Sequence, residues 1–283
     1  MKYINETFDE ERALYGIEEA EVIQCVFDGP EDGESALKEC KDIMVNDCFF
    51  NLRYPFWHVE NATIKGSRFS ENCRAAFWYD DSIHMDNCIH NGIKAFRECS
   101  SVRIENSSIH SKEFLWRCKD VYIENVDMDS EYPLFECKYV TINQLKLIGK
   151  YSFQYVENMT ITNSILDTKD AFWHGKNITI KDSTVKGEYL GWYSENLTFI
   201  RCHIIGTQPL CYCKNLILED CIMEDTDLSF ERSEVNATVK GINLGIKNPK
   251  SGKIKADRVK DLLIESKYVN EKDTILEIDT IGE

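Results

Sequence analysis

The sequence predicts an all-β fold, a right-handed single-stranded parallel β-helix with about 19 residues in each coil. Three observations lead to this prediction. Apolar runs return at a nearly constant interval, each run alternates with period two as strands do, and one position of the repeat is kept small. The segment between the apolar runs holds the candidate functional residues.

The residue before each apolar run defines a register position. These positions are Asp42, Asn61, Ser82, Ser101, Asp120, Tyr139, Asn158, Asn177, Asn196, Asn215 and Asn236. Their spacings are 19, 21, seven times 19, and 21 residues. A period this regular is typical of a solenoid, in which each repeat buries its apolar face by stacking on its neighbours. We therefore predict roughly 11 or more coils whose strands stack about 4.8 Å apart, right-handed because parallel crossovers almost always are.

Two columns of the repeat are predicted to point inward. The first is apolar and runs Val45, Ile64, Met85, Ile104, Ile123, Ile142, Ile161, Ile180, Phe199, Leu218. The second is mostly small, as a tight interior corner requires, and runs Cys48, Ser67, Cys88, Ser107, Val126, Leu145, Ser164, Ser183, Cys202, Cys221. The register residues themselves, largely Asn and Asp, are expected to form a ladder at a bend, because these side chains bond nearby backbone and tolerate left-handed φ.

Composition narrows the functional classes. The net charge of −16 repels phosphate backbones and anionic lipid, so neither nucleic acid nor a membrane surface is an expected partner. No signal peptide or apolar stretch of about 18 residues is seen, so a cytoplasmic protein with its 12 cysteines reduced is expected. We expect a single structural domain with a cap over residues 1–35, coils over 36–239 and cap strands over 240–283.

Several stretches resemble a known family. They are "NLRYPFWHVEN" (51–61), "CRAAFWYD" (73–80), "KYSFQYVEN" (150–158), "GEYLGWYSENLT" (187–198) and "GTQPLCYCKNL" (206–216). Together they resemble a bacterial family, domain of unknown function 3737, placed among the pectin-lyase-like β-helices. The resemblance implies the fold and supplies no catalytic residues, and the fold alone gives only an analogy toward carbohydrate.

The segment before each register residue is predicted to be a second strand with two faces. One face carries Trp57, Trp78, Arg97, Trp116, Phe135, Gln154, Trp173, Trp192, Cys211 and, two residues later, Val59, Asp80, Cys99, Cys118, Cys137, Val156, Gly175, Ser194, Cys213. The other carries a stripe of Phe and Leu with polar columns on both sides. Simple alternation places the Trp and Cys columns inside and the Phe stripe outside. The reverse phase is the alternative.

With that phase, the outer face presents aromatic rings beside charged groups, which suits a carbohydrate. The predicted ligand-binding residues are His58, Phe77, Tyr79, Lys94, Phe96, Tyr151, Phe153, Tyr155, Phe172, Tyr189, Tyr193 and Tyr212. The candidate catalytic residues are Glu98, Arg117, Glu136, Asp170 and His174. Binding or processing of a carbohydrate along this strip is the first hypothesis, and an enzyme of this kind would resemble a glycoside hydrolase or a polysaccharide lyase.

Glu98, Arg117 and Glu136 occupy one column on consecutive coils. The two carboxylates are then about 9.6 Å apart at Cα, near the upper range for an inverting glycosidase. The simpler interpretation is a charge ladder in which Arg117 neutralises both carboxylates. Asp170 and His174 share a face, but roughly 13 Å of extended chain between their Cα atoms makes a direct hydrogen bond unexpected. The other histidines, His84, His90, His110 and His203, show no grouping.

Other kinds of site find little support. Cys211 and Cys213 lack a second pair at zinc spacing, and no motif supports Ca²⁺, so no cofactor is expected. No nucleophile elbow marks a Ser/His/Asp triad. Lys94 and Arg117 are the only support for a sugar phosphate. The rival function is a non-catalytic scaffold that docks a protein partner, with a homo-oligomer left open, through the same strip.

Overall fold

The computed structural model describes residues 1–282 and is built almost entirely of β-strands. The chain forms about 15 turns of parallel β-solenoid with about 19 residues per turn. The described residues contain no α-helix and one short 3-10 helix, Glu271–Asp273. The fold comprises two compact units, Met1–Thr141 and a second from Ile142 onward.

The strands of the first unit are short and regularly spaced. They are β1 (Lys2–Ile4), β2 (Thr7–Phe8), β3 (Glu18–Ile23), β4 (Val26–Asp28), β5 (Lys41–Asn46), β6 (Phe49–Asn51), β7 (Phe56–Trp57), β8 (Glu60–Lys65), β9 (Arg68–Phe69), β10 (Phe77–Trp78), β11 (Asp81–Asp86), β12 (Ile89–His90), β13 (Ala95–Arg97), β14 (Ser100–Glu105), β15 (Ser108–His110), β16 (Glu113–Trp116), β17 (Lys119–Ser130) and β18 (Tyr132–Pro133).

The remaining strands lie between Lys138 and Ile281. They are β19 (Lys138–Gly149), β20 (Glu157–Thr162), β21 (Ile165–Asp167), β22 (Lys176–Lys181), β23 (Thr184–Lys186), β24 (Glu195–Ile200), β25 (His203–Ile205), β26 (Leu216–Glu224), β27 (Glu234–Lys247), β28 (Ser251–Leu263) and β29 (Thr274–Ile281).

The predicted register and inward apolar column are confirmed. Each coil pairs in parallel with the next, so that Ile64 faces Met85 and Met85 faces Ile104 in the first unit. Ile161 faces Ile180, and Ile180 faces Phe199, in the second. These side chains are excluded from solvent, and one apolar side chain per coil in a continuous stack is the main stabilising contribution of a solenoid core.

The Asn and Asp ladder is also confirmed. Ten of the eleven register residues have left-handed φ values, from +49° at Asn215 to +60° at Asn158. Their side chains bond one another from coil to coil. Asn177 Nδ2 donates to Asn158 Oδ1 at 2.9 Å, and Asn196 Nδ2 donates to Asn177 Oδ1 at 2.8 Å. Amide side chains satisfy each other in this way while tolerating a backbone conformation that most residues avoid.

The predicted small corner has a hydrogen-bonding role. Ser67 Oγ accepts from the Cys48 backbone N–H at 3.1 Å, and Ser183 Oγ accepts from the Ser164 N–H at 3.0 Å. Serines and cysteines of this column also donate to carbonyl groups, as Ser67 does to Lys65 and Cys88 to Asp86. All 12 cysteines are buried free thiols, and small polar side chains here satisfy backbone groups that a larger apolar residue would leave unpaired.

Parallel pairing continues into both terminal segments. Strand β1 pairs with β3 and β2 with β4, all four within the predicted cap of residues 1–35. Strands β27, β28 and β29 pair in parallel over most of the segment predicted as the C-terminal cap, 240–283, of which Glu283 lies outside the described residues. No change of sheet marks residue 35 or residue 240.

The predicted phase of the second strand is wrong for its Phe and Trp columns. The stripe Phe77, Phe96, Phe153 and Phe172 is fully buried, and the tryptophans face outward and are half-buried. The Cys column is inside, as expected. Alternation fails because left-handed residues interrupt the extended chain, with φ of +57° at Phe96 and +54° at Glu98. Consequently two adjacent residues, such as Ala95 and Phe96, both point into the core.

The same segment differs between the two units. In the first unit it contributes a small parallel sheet of five short strands, β7, β10, β13, β16 and β18. In the second unit the equivalent residues form turns. In both units the residue three places before the register position points outward, so this position, and not the Phe stripe, carries the candidate functional groups.

Candidate functional site

The surface of interest consists, in each unit, of the outward-facing side chains three places before the register residues, which we name the outer row. It consists of His58, Tyr79, Glu98, Arg117, Glu136, Tyr155, His174, Tyr193 and Tyr212. Each of these residues has a left-handed φ between +54° and +60°. Tyr79, Tyr155 and Tyr193 are 46–49% exposed. The outward orientation predicted for this column is therefore confirmed, although the stripe beside it is not the predicted one.

In the second unit the outer row is a stack of rings. The His174 imidazole lies 5.0 Å from the Tyr155 ring at an interplanar angle of 10° and 5.2 Å from the Tyr193 ring at 9°. Tyr193 and Tyr212 follow at 4.9 Å and 12°. Since neighbouring rings cover both faces of His174 and Tyr193, these residues present only their polar edges to solvent. Neither the His174 ring nor the hydroxyl groups of Tyr193 and Tyr212 form a hydrogen bond within residues 1–282.

In the first unit the outer row changes from rings to charges. His58 stacks on Tyr79 at 5.3 Å. Further along, Arg117 Nε donates to Glu136 Oε2 at 2.7 Å and Arg117 Nη1 donates to Glu98 Oε1 at 3.4 Å. The three side chains are 40–57% exposed, and the two carboxylates raise the pKa of Arg117, with the Glu136 hydrogen bond the largest cause. Arg117 therefore bridges both carboxylates, which is the charge ladder that the sequence suggested.

This geometry does not suit acid catalysis by the glutamates. A glycosidase acid needs a carboxyl group held protonated, usually by burial or by a neighbouring negative charge. Glu98 and Glu136 are instead exposed and share the Arg117 guanidinium group, so neither has that environment.

Asp170 and His174 do not form a pair. Asp170 is only 7% exposed, and burial raises the pKa of its carboxyl group. Its backbone carbonyl accepts from Gln154 Nε2 at 2.9 Å. No hydrogen bond links its side chain to His174 in the part of the chain that the structure describes, so the predicted acid and base remain separate.

The remaining predicted ligand-binding residues divide into two groups. Phe77, Phe96, Phe153 and Phe172 are 0% exposed and cannot contact a ligand. Lys94, Tyr151 and Tyr189 are half-buried at the edge of the tryptophan row, by which we mean the outward-facing position occupied by Trp57, Trp78, Trp116, Trp173 and Trp192. The carbonyl groups of Lys94 and Tyr189 accept from the indole N–H of Trp78 and Trp173, at 3.3 and 2.6 Å.

The tryptophan row is the feature that sequence reasoning placed on the wrong side. Four of the five indole N–H groups reach a carbonyl 16 residues later, as Trp116 does to Tyr132 at 2.7 Å and Trp192 to Gln208 at 2.8 Å, whereas the Trp57 N–H has no hydrogen-bond partner among the described residues. Gln154 replaces a tryptophan and uses its amide in the same way. Arg97 also replaces one and lies over the Trp78 and Trp116 rings, at 5.7 and 4.6 Å, while pairing with Glu113. One column of the repeat contains Trp, Arg and Gln, which all have side-chain N–H donors. This shared property is the signal in the sequence that could have indicated the outward position of the column.

Three histidines that showed no grouping in the sequence are paired in the structure. His84 Nε2 lies 2.8 Å from Glu105 Oε2, His203 Nε2 lies 2.7 Å from Glu224 Oε2, and His110 Nδ1 lies 3.3 Å from Asp129 Oδ2. Glu105 is also held by Arg103, whose hydrogen bond is the largest cause of the lowered pKa of Glu105. The partners lie on the next coil, 19 or 21 residues away, and become visible only once the coils are stacked.

Cys211 and Cys213, the closely spaced pair in the sequence, are buried free thiols. Burial raises the pKa of the Cys213 thiol to about 11 and that of Cys211 to about 12, so neither is a thiolate nucleophile or metal ligand near neutral pH. Among residues 1–282 no three His, Cys, Asp or Glu side chains are grouped so that they could hold a metal ion. The described part of the chain also has no helix with the length and apolar character needed to span a bilayer.

Comparison with solved structures finds similar chains at low identity. PfbA, a surface adhesin of Streptococcus pneumoniae, is 11% identical, with 92% of this chain and 82% of the adhesin covered and a TM-score of 0.47. The tailspike protein of E. coli bacteriophage HK620, solved with a pentasaccharide, is 8% identical, with 98% and 70% covered and a TM-score of 0.43. The A-module of the Azotobacter vinelandii mannuronan C-5 epimerase AlgE6 is 9% identical, with 100% and 88% covered and a TM-score of 0.38. Identities this low transfer no function.

Comparison of sequences is more decisive about kinship. No curated protein matches the chain. The family described as "Protein of unknown function (DUF3737)" matches residues 1–277, which is nearly the whole sequence. The motifs quoted from the sequence resemble the same family, and we conclude that the chain belongs to the DUF3737 family.

Proposed function

We propose that this protein binds a carbohydrate along the ring stack of the outer row, Tyr155, His174, Tyr193 and Tyr212, and does not cleave it. The observation that carries the proposal is the regular array of polar ring edges at 4.9–5.2 Å intervals, exposed to solvent and without internal hydrogen bonds at Tyr193 and Tyr212. Hydroxyl-rich ligands need such evenly placed donors and acceptors.

The mode of binding differs from ring-on-sugar stacking. Because the inner rings of the stack cover each other, a glycan contacts their edges and exchanges hydrogen bonds with phenol and imidazole groups. A ligand lying along the solenoid would meet one ring per coil. Each such hydrogen bond contributes modestly, about 1 kcal/mol, so affinity depends on several consecutive rings and short sugars should bind weakly.

The absence of cleavage is proposed from the charge ladder. Glu98 and Glu136 are both bridged by Arg117, and Asp170 and His174 are not paired. Neither predicted catalytic set has a carboxyl group positioned as an acid beside a second group positioned as a base.

The test is a titration of the purified protein with neutral, amino and acidic oligosaccharides, followed by calorimetry on hits. Tyr193→Phe and His174→Phe keep the ring stack and remove the polar edges, so each should weaken binding about 5-fold without changing the melting temperature. Tyr79→Phe, in the first unit, is the matched control. Unchanged affinity in both variants, or equal loss in the control, would contradict the proposal.

A scaffold function is the second candidate, and one observation favours it. In the outer row rings stack on rings and charges pair with charges, which leaves neither face of His174 or Tyr193 open for a sugar. Such a surface suits docking of a protein partner or a second copy. A molar mass measured in solution by light scattering separates the two: a stable dimer that Tyr193→Glu disrupts would favour the scaffold, and a monomer would favour the carbohydrate.

A further inference from the structure

Two adjacent grooves open on the outer surface of the first unit, away from the outer row. The larger has a volume of about 460 Å³ and includes Gly66, Asn87 and Ser108. The smaller has a volume of about 350 Å³ and includes Phe49 and Asn72. Arg68 and Ile89 line both. The grooves therefore meet at the Arg68 side chain.

Arg68 differs from most arginines of this chain because its guanidinium group has no internal partner. Eight of the ten arginines form an ion pair, a hydrogen bond or a ring contact, as Arg201 does with both oxygens of Asp182 at 2.7 Å. Within residues 1–282 only Arg68 and Arg74 form none. A protein of net charge −16 has many carboxylates that could pair with an arginine. The unpaired guanidinium group of Arg68 therefore indicates a position that can bind an anion from solution.

The grooves arise where the repeat is irregular. Neighbouring coils place Asp47, Asn87, Asn106 and Asn125 at the left-handed bend after the first strand, and here the chain has Gly66. A Cβ atom at Gly66 would lie 2.3 Å from Asp47 Oδ1, so this coil contributes no side chain to the ladder and the Asp47 carboxylate lies against the glycine instead. The second irregularity is an insertion: eight positions separate Phe69 from Phe77, where six separate Phe50 from Phe56. The inserted corner, with Glu71 and Asn72, forms a wall of the smaller groove.

The groups around Arg68 define the chemistry of a ligand. Phe49 and Ile89 flank Arg68 on the neighbouring strands and are 36% and 40% exposed. The Asn87 amide and the Ser108 hydroxyl line the larger groove without an internal side-chain hydrogen bond among the described residues. Each groove also includes one carboxylate, Glu71 or Asp127, and Arg68 is the only Lys or Arg among the described residues that line either groove.

We propose that this junction binds an oxyanion carried by a hydroxyl-rich small molecule, such as an acidic sugar or a sugar phosphate. The guanidinium group takes the oxyanion in two parallel hydrogen bonds. Asn87 and Ser108 take hydroxyl groups, and Ile89 and Phe49 contact the apolar face of the ligand. The site lies wholly within the first unit and is independent of the carbohydrate proposal for the ring stack.

The experiment is calorimetric titration of the full chain at low ionic strength with glucuronate, glucose 6-phosphate, inorganic phosphate and glucose. We expect at least one of the two charged sugars to bind 10-fold or more tightly than glucose. Arg68→Gln should remove that difference with an unchanged melting temperature, because the Arg68 side chain forms no internal hydrogen bond, ion pair or ring contact. The two charged sugars distinguish a carboxylate from a phosphate source.

Arg74→Gln is the matched control, since Arg74 is also unpaired but lines neither groove. Asn87→Asp supplies a second variant, which places a carboxylate in the groove and should weaken the charged sugars about 10-fold. Binding of glucose as tight as that of glucuronate and glucose 6-phosphate, equal loss in Arg74→Gln, or no binding of any probe overturns the proposal. Binding lost in Tyr193→Phe but kept in Arg68→Gln would assign the sugars to the ring stack and overturn it as well.

Discussion

The outer row has the same left-handed φ in both units but differs in its side-chain chemistry. From Glu98 to Glu136 it is a chain of alternating charges, in which Arg117 bridges the carboxylates on the coils before and after it. From Tyr155 to Tyr212 it is a chain of rings, each stacked on the next with interplanar angles of 9–12°. The left-handed φ values are the same to within a few degrees.

The comparison shows that in a solenoid a side chain packs mainly against the equivalent side chains on the coils before and after it. Identical positions on successive coils lie about 4.8 Å apart, so a side chain meets its counterpart before it meets anything else. Rings stack, amides form ladders and opposite charges neutralise each other. The groups available to a ligand are those that the columns leave unsatisfied, which are the ring edges in the second unit and Arg68 in the first.

The largest expected effect concerns the buried stripe beneath both versions of the outer row. Phe96→Ala in the first unit and Phe172→Ala in the second should each lower the free energy of unfolding by about 3–5 kcal/mol, because a fully buried ring is replaced by a cavity. Tyr193→Ala, on the surface, should cost far less. Urea denaturation measures all three, and a Tyr193→Ala cost equal to that of Phe172→Ala would mean that the outer row, not the stripe, is buried.

Acid sensitivity should come from the first unit. His90 stacks on Phe69 at 5.1 Å in a core column whose equivalents in the second unit are Leu166, Val185 and Ile204. Burial lowers the pKa of His90 to about 4 from 6.5. Below pH 6.5 the unfolded chain binds a proton that the folded chain excludes, so stability present above pH 6.5 is lost as the pH falls toward 4, by roughly 3 kcal/mol.

His90→Phe tests this dependence. The variant should lose most of the decline in stability between pH 6.5 and 4, measured by urea denaturation at several pH values. Its absolute stability at pH 7 also reflects the lost hydrogen bond from Gly92 N–H to His90 Nδ1, so the slope is the diagnostic quantity. An unchanged slope would show that His90 is not the group responsible.

An intermediate effect is expected for the tryptophan row. Trp173→Phe removes the indole N–H that reaches the Tyr189 carbonyl at 2.6 Å and should cost about 1–2 kcal/mol. Trp116→Phe, which loses the equivalent bond to Tyr132 in the first unit, should cost a similar amount. Thermal unfolding compares them, and a near-zero cost in either variant would contradict a structural role for that bond.

The smallest effects should distinguish the two versions of the outer row by their salt dependence. His174→Ala removes two ring contacts and should cost about 1 kcal/mol, equally at low and high salt. Arg117→Ala removes an exposed ion ladder, so its smaller shift in melting temperature should shrink in 1 M salt. Salt dependence in His174→Ala, or none in Arg117→Ala, would contradict the contrast between the two versions.

The failure of the phase prediction has a physical cause. Alternation assumes an extended backbone. Phe96 and Phe172 have left-handed φ values, and their residue type does not predict this, because bulky residues rarely adopt such a conformation. One clue was present: the position before the Phe stripe is also apolar or small, as at Ala95 and Ala171. Two adjacent apolar columns indicate a turn that buries both.

The sequence by itself determined the period, the inward column, the Asn ladder, the small corner and the family, because each depends on a pattern that repeats along the chain. Only the tertiary structure decided which rings are exposed, which histidines meet carboxylates and which arginine stays unpaired. Those outcomes depend on backbone handedness at single residues and on contacts between residues 16 to 21 positions apart, and these contacts exist only after the coils have stacked.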